Sequence, residues 1–72
     1  MPAFKAIQLL NSQEVTCAEL RNCIDSLNRE CGHIEAMVSI GFRDKVSGQH
    51  SLDYLQLLIT RLYNKLDDIC TN

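Results

Sequence analysis

Four cysteines, Cys17, Cys23, Cys31 and Cys70, and two histidines, His33 and His50, are the side chains in this 72-residue sequence best suited to bind a metal or act as nucleophiles. Zinc is usually held by ligands paired at short spacing, as in a C-x-x-C knuckle. Here Cys17 and Cys23 are six apart, and Cys31 and His33, two apart, point different ways on a helix. Only a tight fold that brought Cys17, Cys23, His50 and Cys70 together would make a four-ligand set, so neither metal nor cofactor is expected. A nucleophilic cysteine needs a neighbouring base and a setting that favours the thiolate. Cys17, near a helix start, carries the only such hint.

A disulfide framework is the remaining chemistry, and it belongs to secreted chains. The opening "MPAFKAIQLL" is too short, and too soon followed by polar residues, for a secretory signal. The expectation is a cytoplasmic protein whose thiols are reduced and buried as small apolar side chains. His33 and His50 are then solvent-facing.

The elements that position these residues follow from apolar spacing. Ala3 to Leu10 suits a short helix with Pro2 at its start. Asn11 or Ser12 is a candidate cap for the next helix, and Thr16 with Glu19 offers a capping box one turn later. Leu20, Ile24, Leu27, Cys31, Ile34 and Val38 then advance by alternating steps of four and three, a heptad seam that by phase also includes Cys17. Cys23 flanks it. Leu52, Leu55, Ile59, Leu62, Leu66 and Ile69 make a second seam. Ser47-Gly48, with His50 and Ser51, reads as the turn between them; Ser51 is the N-cap of the last helix, and Phe42 and Val46 pack beneath the turn. Arg61 and Lys65 lie on the wet side. The fold class is all-α: an antiparallel helical hairpin with a heptad seam plus a short N-terminal helix, spanning residues 1–72 as a single domain.

Composition limits function. A chain of this size buries roughly 60% of its unfolded surface, so stability is marginal without a staple, a metal or a partner. Apolar residues make up 46% of the sequence and net charge is −2 with both signs interspersed, which offers no field for nucleic acid. No apolar run is long enough to enter a membrane as a spanning helix. The residues that a two-helix seam leaves over are Tyr54, Leu57, Leu58 and Tyr63 on the last helix, with Met37 and Ile40 on the middle one. Either the short N-terminal helix folds back and covers them, or they predict an exposed apolar face for a second copy, a dimer first, or for another helical protein. A helix-turn-helix DNA-binding regulator is the alternative reading of "VTCAELRNCIDSLNREC", although the heptad runs through the place where its turn should fall.

Two resemblances bear on function. "ELRNCID", Glu19 to Asp25, resembles the opening of the all-helical chorismate mutases, which implies Arg21 as a phosphate- or carboxylate-binding residue. The later basic residues of those enzymes are not matched. In architecture, the Leu20–Val38 helix, the turn near "SGQHS" and the helix "LDYLQLLITRLYNKL" resemble the small co-chaperones of type III secretion needle subunits. That resemblance implies a non-enzymatic hairpin that covers a helical partner in the cytoplasm.

Overall fold

The computed structural model describes residues 2–70, excepting the Pro2 side chain, and among them there are three helices and no strand. Helix α1 runs Pro2–Asn11, α2 Cys17–Ser39 and α3 Lys45–Cys70. The fold is all-α, an antiparallel α2–α3 hairpin with α1 laid against both of its helices. The long axis measures 43 Å against 18 × 17 Å across.

Local chemistry sets each helix end. Thr16 caps α2 with a capping box: its hydroxyl accepts the Glu19 N–H at 3.1 Å, and its own N–H donates to Glu19 Oε1 at 3.1 Å. At the other end Gly41 takes φ +84°, which a glycine adopts without a Cβ penalty. The Gly41 N–H then reaches Val38 O at 3.1 Å and the Phe42 N–H reaches Met37 O at 2.9 Å, the pair of bonds that closes a Schellman motif. Asp44 starts α3: its Oδ2 accepts from Ser47 N–H at 2.9 Å and its carbonyl from Gly48 N–H at 2.8 Å.

The turn therefore occupies residues 40–44, earlier than the Ser47–Ser51 stretch that the sequence suggests. Two strong stop-and-start signals, Gly41 and Asp44, outweigh the loose polar run behind them. Ser51 does not cap a helix; it lies within α3, where its hydroxyl accepts a hydrogen bond from Arg43 Nη2. Gly48 is buried in α3 rather than turning the chain. A Cβ at that position would lie 2.5 Å from Val38 Cγ2, so the absent side chain is what lets α3 approach α2 here. Phe42 and Val46, expected beneath the turn, are exposed because the turn ends before them or holds them outward.

Leu20, Ile24, Leu27, Cys31 and Ile34 of α2 and Leu55 and Leu62 of α3 are buried along the predicted seams, with Val38, Leu52, Ile59 and Leu66 half-buried beside them. Ile69 departs from its seam and is 44% exposed. It lies one residue from the end of α3, opposite the very start of α2, so there is no further helix turn to cover it. Ala6 and Leu9 of α1 complete the core, and their burial supplies the third wall that a hairpin lacks.

Candidate interaction surface and the cysteine clasp

Besides apolar packing, the Lys65 side chain ties α1 to α3 by hydrogen bonds. Lys65 Nζ donates to the carbonyls of Leu9 at 2.7 Å, Leu10 at 3.1 Å and Ser12 at 2.6 Å. These oxygens lie at the C-terminal end of α1, where carbonyls have no intrahelical partner and the dipole favours a cation. All three ammonium hydrogens are used. Lys65 is thus half-buried on a contact, not on the wet face that its helical phase beside Arg61 suggests. Lys65→Met keeps the stem and removes the donors. It should cost about 1–2 kcal/mol and speed amide exchange across α1 while the hairpin stays protected. Unchanged exchange in α1 would show that apolar packing alone holds it.

The same flank of α3 explains Leu58. Leu58 precedes Lys65 by two helical turns, so it faces α1, and it is only 4% exposed. It belongs to the core and not to the predicted outer face, because at this position the first helix does provide cover, the alternative to exposure. Tyr54, Leu57 and Tyr63 are 46%, 48% and 49% exposed, Ile40 is exposed at the turn and Met37 is half-buried. They do not form one patch. At 3.6 residues per turn, Tyr54 and Leu57 share a side of α3, while Tyr63 points to the flank opposite Tyr54.

Of that set only Ile40 is among the most exposed large apolar side chains. Ile40, Phe42 and Val46 gather at the turn end of the hairpin, Phe42 being 77% exposed, and Phe4 stands out from α1. Part of the signal for this tip was present in the sequence: Gly41 and Asp44 bracket Phe42, and an apolar residue between two tight caps has little to pack against. Beside the tip, Ala3, Ile34 and Leu55 floor a cleft of ≈ 270 Å³ edged by Glu30, Arg43, Ser51 and Tyr54.

Cys17 and Cys70 are joined by a disulfide, with Cα atoms 6.1 Å apart and a sequence separation of 53. The expectation of four reduced thiols, and of Cys17 as seam filling, is overturned here. α2 begins and α3 ends at the same end of the hairpin, so the two residues meet across its open end. Cys23 and Cys31 are thiols and both are buried. Burial pushes the Cys23 thiol up, with a smaller opposing pull from Lys5 of α1. Burial also raises Cys31, and Glu35 and Glu30 add to it. Both therefore stay protonated at neutral pH and behave as apolar packing. Folding favours the neutral thiols, so their contribution is present below the ordinary thiol range and is lost as pH climbs through the raised values.

Other candidate groups do not converge. His50 stands near the turn end, about 30 Å along α3 from Cys70 at 1.5 Å per residue. Among the described residues no three His, Cys, Asp or Glu side chains gather as a metal-binding group. Arg21 is exposed on α2 and does not line the cleft beside the tip. α2 is unbroken from Cys17 to Ser39, through the place where a helix-turn-helix would bend. Among the described residues no helix is long and apolar enough to cross a membrane.

Fold and surface define a small all-α protein: a three-helix bundle closed at one end by a capped turn and at the other by a disulfide. Beyond that class, comparison with known protein families, curated proteins and solved structures finds no match.

Proposed function

We propose that the chain is a non-enzymatic helical interaction module that pairs with a second copy of itself or shields another helical protein, in the manner of the type III secretion needle co-chaperones that its architecture resembles. The observation that carries this reading is apolar surface left outside a finished core. Tyr54 and Leu57 on α3, with Ile40, Phe42 and Val46 at the turn, remain exposed after α1 has docked. The accessible surface of 5075 Å² also exceeds the about 4,500 Å² expected for a folded monomer of 8.2 kDa. Exposed apolar groups of this kind mark contact surfaces for other chains.

The cytoplasmic placement read from the sequence suits the chain with its disulfide open. The bridged form calls for oxidising surroundings.

The test is solution mass by light scattering over a concentration series, with and without reductant. A dimer that weakens about tenfold or more in Leu57→Asp, with helicity unchanged, supports the reading; one buried anchor at an interface typically carries more than 1 kcal/mol. Leu58 is unsuitable for this purpose because it is core. A well-folded monomer at every concentration that also retains no helical protein from its source would sink the proposal.

A further inference from the structure

The Cys17–Cys70 bridge joins two helix ends of opposite polarity. Cys17 is the first residue of α2, where exposed backbone N–H groups stabilise a negative charge. Cys70 is the last residue of α3, where the carbonyl end disfavours one. Two charged side chains bias the pair the same way, against Glu19 in the first turn of α2: Arg21 follows Cys17 by one turn, and Asp67 precedes Cys70 by one turn. Glu19, the acid in the first turn of α2, is engaged with Thr16, whose N–H and hydroxyl it accepts. Cys17 and Cys70 are both half-buried, whereas Cys23 and Cys31 lie in the core.

We propose that this bridge is a thiol–disulfide exchange site of fixed direction whose co-reactant is a dithiol. One thiolate of the dithiol attacks Cys70 Sγ. The Cys17–Cys70 bond breaks, and its electron pair departs on Cys17 Sγ, the better leaving group at the helix N-terminus. The dithiol's second sulfur, as a thiolate, then attacks the first within the mixed disulfide and expels Cys70 as a thiolate. The two protons of the dithiol end on Cys17 and Cys70, and the dithiol leaves as a disulfide. Two electrons pass to the protein.

The experiment uses the oxidised full-length chain and glutathione, a monothiol whose first attack gives the mixed disulfide that an early quench can trap. After a short reaction and an acid quench, peptide mass spectrometry locates the adduct. Glutathione on Cys70 should exceed that on Cys17 by about tenfold, from the dependence of exchange on the leaving thiol. Reversing the local charges with Arg21→Glu and Asp67→Lys should shrink that ratio while the helicity holds. Equal labelling, an excess on Cys17, or a bridge that resists dithiothreitol in the folded protein would each overturn the proposal.

Discussion

Leu62→Asp should unfold the chain. Leu62 is fully buried in the C-terminal half of α3, and among the described residues no polar or charged side chain is buried. Removing the leucine forfeits its burial and leaves a cavity, which in well-packed cores costs about 3–5 kcal/mol. The aspartate adds a polar group with no partner within the core, a further penalty of about 1–3 kcal/mol even when it protonates. Small domains hold roughly 5 kcal/mol or little more in total, so the sum removes most or all of the stability. Far-ultraviolet circular dichroism and urea titration would read it. A cooperative transition at the wild-type midpoint would mean that the α2–α3 packing described here is wrong.

Opening the Cys17–Cys70 bridge should be the second largest effect. The bridge closes a loop across 53 sequence positions. Chain-entropy arguments assign a loop of that length about 4 kcal/mol, and measured values usually fall at about 2–4 kcal/mol. Replacing both cysteines by serine should therefore lower the urea midpoint by roughly 2–4 M, taking a slope of about 1 kcal/mol/M. The slope itself should rise, because an uncrosslinked unfolded chain exposes more surface. A midpoint within error of the oxidised protein would show that the bridge contributes nothing to the folded state.

Much of the architecture is readable from spacing alone. The α2 seam and its Thr16–Glu19 capping box depend on neighbours three and four residues apart, and such local relations survive without knowledge of the fold. The clasp does not, because it depends on register. Gly48 packs on Val38; counting outward from that contact, Cys17 lies 21 residues before Val38 and Cys70 lies 22 after Gly48. With the turn placed at Ser47–Ser51, the position facing Cys17 falls beyond residue 72, and the pairing cannot be seen. An error of a few residues at one turn thus hides a contact at the opposite end.

Leu58 was hidden for a different reason. Two helices have one seam, and an apolar residue off it reads as surface. A third helix turns that flank inward, but α1 carries small and medium anchors, Ala3, Ala6, Leu9 and Leu10, whose modest pattern does not announce a docking face. Its attachment by Lys65 to three backbone carbonyls involves no side-chain partner at all, so no residue pairing in the sequence points to it.

The clasp and the capped turn together make α2 and α3 a covalent ring. Phe42, an aromatic residue, is the most exposed apolar side chain on that ring, and Lys45 is exposed beside it, so proteases of chymotryptic or tryptic specificity meet the backbone first at the turn. A single cut there opens the ring without dividing the molecule: the product gains the mass of one water and migrates as one species. Only after reduction do two pieces separate, one carrying α1 with α2 and the other α3. A nicked chain can thus keep its helices packed after its backbone continuity is gone.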